Sequence, residues 1–366
     1  MKTSASPSSL VGGAILSVGP LGMPFKTIDP FLFAVYHDDN YPAGEESMGP
    51  PQALLRGRML GQDFGSRTGW NMYHGRSVPG FPKHPHRGFE TVTLVRHGVV
   101  DHCDSLGSKG RFGEGGDVQW MTAGKGISHS EMFPLLKRDG PNRLELFQIW
   151  LNLERTNKMR DPHFKMLWHE DIPTAVINSD GSDATTTLAV IAGQGFLGVE
   201  ADSKVPEPPP ASYASKGEAS DVAIVTLTME PGANYTLPAA RGGDSTRRKL
   251  FYFKGPKLSV DGKMFEDHSG IELRGGVAVG LEAAGDGPVE LLLLQGKPIG
   301  EPVVQHGPFV MTSREEIIQA FTDYQTDEFG DWNHGSDAPV HPRDAERFAV
   351  HADGKREERK WASPVS

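Results

Sequence analysis

Residues 81–98 read "FPKHPHRGFETVTLVRHG". The second half is a short run of apolar and β-branched residues closed by Gly98, the pattern of a β-strand ending in a turn. In a strand, side chains alternate between faces, so His84 and His86 project together. If the extended phase continues, Glu90, Val92 and Leu94 share their face and make it an inward one with a polar end. The chain has 14 histidines among 366 residues, and random placement of that many gives roughly half an H-x-H pair. The pair therefore takes its meaning from its surroundings.

Runs of the same kind fill the chain. "GVVDHCDS", "GDVQWMTAG" and "RLELFQIWLNL" lie in the first half, and "DVAIVTLTMEPG", "KLFYFKGPKLSVDG", "VAVGLEAAGDG" and "VELLLLQGKP" in the second. A spacing of about ten residues with Gly, Pro and Asp between runs predicts an all-β protein of the sandwich or barrel type. Helices between the strands are absent, which excludes a parallel α/β sheet. One helix is marked at "TSREEIIQAFTDYQ", where Ser313 and Glu316 form a capping box and Ile317, Phe321 and Tyr324 share a face. The Pro- and Ser-rich residues 201–220 read as an exposed loop, and residues 331–366 as a polar tail that wraps the body or stays partly disordered.

At 366 residues the chain exceeds one ordinary core, and its halves look like two copies of one β unit. The expected divisions are an N-terminal arm (1–28), two β domains (29–170 and 171–312), a helix (313–330) and the tail (331–366). The net charge of −10 is dispersed, which excludes direct nucleic-acid binding by a basic surface. No secretory signal is recognisable at the N-terminus, and no run of 18 apolar residues is present to span a membrane. A cytoplasmic protein is expected, nuclear as well if the source is eukaryotic. The single cysteine, Cys103, excludes a disulfide framework and an all-cysteine metal site, and reads as a small, partly buried residue.

A second motif answers the first. "TAGKGISHSEMF" supplies His129 and Glu131, again two apart and on one face. Two strands that each offer two ligand groups to one interior are what a mononuclear site in a β-barrel needs. Three imidazoles and a carboxylate suit Fe, Ni, Cu, Mn or Zn, with positions left for water, substrate or dioxygen. The sequence has no H-E-x-x-H, no phosphate-binding loop and no elbow-type serine.

"HPHRGFETVTLV", "DSLGSKG", "GDVQWMTAGKGISHSEMF", "ELFQIWLNL" and "GEPVVQHGPFVM" closely resemble the pirin family of the cupin superfamily, from about residue 29 to Gly330. The resemblance implies a bicupin: two cupin-type β-barrel domains, with a short C-terminal helix packing back on the N-terminal one. It further implies one divalent metal in the N-terminal barrel, Fe(II) first and Ni, Cu, Mn, Zn or Co as alternatives. The implied ligands are His84, His86, His129 and Glu131. In cupins generally the carboxylate ligand would be Glu90; the pirin pattern moves that role to Glu131 and leaves Glu90 to orient a histidine or water from behind. Where the second barrel would carry an H-x-H, this chain reads "GGDSTRRK", so a barrel without metal is expected there.

The function implied is quercetinase-type (flavonol) dioxygenase activity, with Glu131 as general base for the substrate's 3-hydroxyl. The alternative is a metal- or redox-responsive binding protein of the transcription-cofactor type, acting without turnover. Expected partners are a small aromatic substrate such as a flavonol, or another protein; the chain itself is expected to be a monomer. It exceeds most pirins in length, partly around "HDDNYPAGEESMGPPQ" and in the tail.

Overall fold

The computed structural model describes residues 13–361, so the expectations for residues 1–12 and 362–366 lie outside the described residues. The chain is mostly β and forms two compact units. One gathers the chain up to Ala34 with Glu170–Gly300; the other gathers Val35–His169 with the chain from Glu301 onward. Each unit is discontinuous in sequence, so these boundaries differ from the sequential divisions expected above. The reason is strand pairing. β1 (Ile15–Pro20), from the expected N-terminal arm, hydrogen-bonds antiparallel to Ser269–Leu273, which puts the arm in the same unit as the C-terminal strands.

That C-terminal unit has a seven-stranded sheet in the order β1, Ser269–Leu273, Arg247–Lys254, Val289–Gly296, Ala223–Met229, Thr185–Ala192 and Thr174–Asn178. A four-stranded sheet completes it, and inward residues such as Leu227, Leu250, Tyr252, Leu281 and Leu293 form one core. Arg248, from "TRRK", projects on the same face as Leu250 and Tyr252 and is fully buried. Residues 201–220 depart from the expected exposed loop. Ser212 caps the short 3-10 helix Tyr213–Ala219 by accepting from the Ala214 amide, and Ser212, Tyr213 and Ala214 are buried.

The other unit holds two facing sheets. The first has the order β10 (His163–Leu167), β7 (Asp117–Thr122), β4 (Phe89–His97), β9 (Asn142–Asn152) and β2 (Phe31–Tyr41). The second runs Arg356–Arg359, Arg347–Val350, β6 (Lys109–Gly113), β5 (Val99–Asp104), β8 (Ile127–Met132) and β3 (Gly80–His86). β2 and β3 are therefore edge strands. Val95, Phe112, Phe133, Leu146, Phe164 and Trp168 are among the core residues between the sheets.

The helix α1 (Arg314–Asp327) begins as its sequence predicts. Ser313 accepts from the Glu316 amide, and the Glu316 carboxylate accepts from the Ser313 amide. Ile317 and Ala320 are buried with Phe309, Met311 and Phe329, and Phe321 and Tyr324 pack against them. Arg87 pairs with Asp323 at 2.6 Å, and Ser128 Oγ donates to the Glu328 carbonyl, so α1 does pack back on the N-terminal barrel. Among the described residues, no helix is long and apolar enough to cross a membrane.

Candidate metal centre

The β3–β8 ladder places His84 directly opposite His129, and Phe81 opposite Glu131. On the other flank of β8, the β5 ladder places His102 opposite Glu131 and Asp104 opposite His129. Cross-strand partners in an antiparallel pair point to the same face, so three neighbouring strands feed one interior. The His84, His86 and His129 rings lie 4.4 to 4.9 Å apart, centre to centre. Their nitrogens fall within 4.8 Å of one another.

The ring orientations leave the inner nitrogens available. His84 Nδ1 is 2.8 Å from the Pro82 carbonyl and His86 Nδ1 is 3.4 Å from that of Pro308. A carbonyl only accepts, so each Nδ1 carries the proton and each Nε2 keeps its lone pair. His86 Nε2 and both nitrogens of His129 are buried without a hydrogen-bond partner. Unpartnered buried acceptors cost free energy unless something binds there. Burial and mutual repulsion among the imidazoles also hold them neutral: His84 is lowered to about 4, and His86 and His129 lie well below the ordinary histidine range. Neutral, converging, unpaired imidazole nitrogens are the state a metal ion requires.

Glu131 completes the group from the next inward position on β8. Its Oε2 is 4.0 Å from His129 Nε2. Thr93 Oγ1 donates to Oε1 at 3.0 Å and Gln148 Nε2 to Oε2 at 2.6 Å, while Trp150 Nε1 donates to Gln148 Oε1. Burial raises the Glu131 pKa; the nearby His102 and the two hydrogen bonds oppose the rise. These residues fit a divalent metal held by three imidazoles and one carboxylate. His86, His129 and Glu131 are buried, and His84 is partly exposed, so the group comes nearest to solvent at the β3 edge.

Glu90 requires a correction. Thr93 faces Glu131, so by strand alternation Phe89, Thr91 and Val95 share the inward face, and Glu90, Val92 and Leu94 point to the other side of the sheet. The Phe89 ring, not Glu90, lies against His86 at 5.1 Å. Glu90 instead accepts from Thr122 Oγ1 at 2.7 Å. The extended phase does not continue from His86 because Gly88, at φ 87°, turns the chain from one sheet into the other.

His102 belongs to neither histidine motif, yet it lies beside the site. It is fully buried, its ring is 5.4 Å from that of His129 and stacks on Phe164, and its Nε2 meets Asp104 Oδ2 at 3.1 Å. The spacing His102–Asp104 signals a shared face, but only the β5–β8 register shows which face. Gln148 and Thr93 were missed for the same reason. Cys103 points away from this interior by alternation; it is buried, and burial pushes its thiol up to about 12, as for an unreactive core residue.

The pirin family model matches residues 22–151, and that of the pirin C-terminal cupin domain matches residues 224–330. A pirin-like protein of Solanum lycopersicum is 37% identical over 248 residues, covering 67% of this chain and 75% of the relative. Human pirin is 36% identical over 256 residues, covering 69% of this chain and 79% of its own. The crystal structure of a quercetin 2,3-dioxygenase from Acinetobacter baumannii superposes with a TM-score of 0.62 at 27% identity, covering 83% of this chain and 87% of that one.

Proposed function

This chain belongs to the pirin family, and from that membership we propose that it is a mononuclear, metal-dependent flavonol dioxygenase of the quercetinase type. Its metal would be Fe(II) or a similar divalent ion held by His84, His86, His129 and Glu131. The observation that carries the reading is the convergence of the His84, His86 and His129 nitrogens within 4.8 Å of one another, with the buried Glu131 carboxylate 4.0 Å from His129 Nε2. The likeness to the A. baumannii quercetin 2,3-dioxygenase supports the substrate class.

When bound, the metal would supply Lewis acidity toward the flavonol's hydroxyl oxygen and a redox couple toward dioxygen. The protein supplies the rest. The Pro82 and Pro308 carbonyls fix the histidine tautomers and aim the lone pairs inward. Thr93 and Gln148 hold the two oxygens of Glu131, which places the carboxylate to take the proton from the substrate's 3-hydroxyl. Phe89 and Trp150, stacked at 3.9 Å between ring centres, wall the site with apolar surface and keep bulk water off the histidines.

The test is to load the purified protein with Fe(II), measure its metal content, and follow quercetin loss together with O₂ uptake. Equal consumption of both is expected. Glu131→Ala should lower metal content and should lower turnover by at least ~10²-fold, the ordinary worth of a general base. His84→Ala should lower metal content as well as turnover. Iron-loaded wild-type protein that leaves quercetin untouched would sink the dioxygenase reading.

A further inference from the structure

The open edge of the site is finished by a segment that the four metal-centre residues do not account for. Residues 42–79 join β2 to β3, the two edge strands of the N-terminal unit's sheets. The segment is pinned at both edges. Tyr73 exchanges backbone hydrogen bonds with Asp63 at 2.9 Å, and the His74 amide donates to the Gly80 carbonyl at the start of β3. The Tyr73 hydroxyl reaches β2, where it donates to Asp39 Oδ2 at 2.5 Å and lies 2.6 Å from His37 Nδ1. Asn71 donates to the other oxygen of Asp39, and the Arg58–Asp63 ion pair is nearly buried. Tyr73 itself adopts φ 56°, a conformation held only where the surroundings determine it.

This rigid support presents rings that the fold does not need buried. Phe64 is 47% exposed and His74 is exposed. They meet edge to face at 5.1 Å, and each lies against Phe81, at 6.4 and 5.6 Å. Phe81 stacks on Tyr73 from behind and stands 6.2 Å from His84, the partly exposed member of the histidine group. A row of rings thus runs from solvent to His84 at the β3 edge of the candidate metal centre. A large exposed Phe held in place by a buried hydrogen-bond network is a costly surface unless it meets an apolar ligand.

We propose that Phe64, His74 and Phe81 form the stacking wall that selects planar, multi-ring phenols at this site. One ring of the substrate rests on Phe64 and His74, while its hydroxyl-bearing edge lies toward His84. Flat rings match offset and edge-to-face partners, and the imidazole of His74 offers a hydrogen-bond group for a phenolic hydroxyl. A flexible aliphatic chain would not use this geometry. The inference depends on the dioxygenase reading for the identity of its ligand. It makes residues 42–79 the element that sets substrate choice.

The experiment uses the full-length, iron-loaded protein and the variants Phe64→Ala, Phe64→Trp and His74→Ala, each checked for metal content. Quercetin is titrated without oxygen by absorbance, then turned over in air. Phe64→Ala should weaken quercetin binding about 5- to 10-fold and raise KM by the same factor, with metal content unchanged and the loss absent from kcat. Phe64→Trp should restore binding. Wild-type affinity in both Phe64→Ala and His74→Ala overturns the wall, and leaves the dioxygenase reading standing if turnover persists. Quercetin that binds through Phe64 without O₂ uptake supports the wall and removes the dioxygenase reading. Wild-type protein that binds no quercetin removes both.

Discussion

Glu131 is fixed from two directions, and its neighbours make its orientation testable apart from its charge. Gln148 donates to Oε2, Thr93 to Oε1, and Trp150 holds the Gln148 amide in its orientation. Groups placed behind a ligand in this way commonly change metal affinity 10- to 100-fold when removed. Gln148→Leu should therefore cut metal retention after dialysis by at least about tenfold, with an unchanged thermal unfolding midpoint for the metal-free protein. Retention equal to wild type would show that Gln148 does not position the carboxylate. The two carboxylates at this scale also show where residue-level reading stopped. His84, His86, His129 and Glu131 were legible because residues two apart share a face in any strand. Glu90 was misplaced because that rule was carried across Gly88, where the chain leaves one sheet for the other.

At the scale of elements, α1 was readable from its cap. Ser313 and Glu316 satisfy amides that the first turn would otherwise leave open. Ser313→Ala should cost about 1 kcal/mol by denaturant titration. The Thr312 hydroxyl, with the amides of Thr312 and Ser313, holds the Glu316 carboxyl below its ordinary value. A depressed carboxylate contributes stability above its unfolded value, so the cap's share should fade as pH drops below about 4.5. The turn after β9 behaves in the opposite region of pH. Lys158 is buried, with Nζ donating to the Gly88 and Val310 carbonyls and to Asn152 Oδ1, and burial lowers its pKa from 10.5 to about 8. Between those values the unfolded chain binds a proton that the folded chain lacks, so this group makes stability rise with pH from about 8 to 10.5. Comparing the denaturation midpoints of wild type and Lys158→Met at pH 8 and 10 should show that rise in the wild type and its loss in the variant. Equal pH dependence in the two proteins would exclude Lys158 as its source.

At the scale of the whole molecule, the last segment belongs to the N-terminal unit. His334 Nε2 reaches the Asp104 carbonyl, the His341 amide donates to Asp101, and Arg111 donates to the carbonyls of His341 and Pro342. Arg347–Val350 then pairs with β6, and Arg347 meets Asp117 at 2.8 Å with both side chains buried. Ending the chain at Gly330 would leave the buried Asp101–Arg111 and Asp117 charges without these partners. The truncated protein should lose at least ~3 kcal/mol of stability, with faster hydrogen exchange in β5 and β6 than in β4. An unchanged unfolding midpoint would show the tail to be dispensable. The sequence by itself determined the all-β class, the strand runs, the helix start and the two histidine motifs, because each follows from spacing within one segment. Only the tertiary structure decided that Glu90 turns away from the histidines, that His102 joins them, that Phe64 and His74 stand near their β3 edge, and that β1 and the tail complete different units. Those outcomes depend on register between strands far apart in the chain. A period of two fixes faces within a strand and carries no information about which distant strand will pair with it.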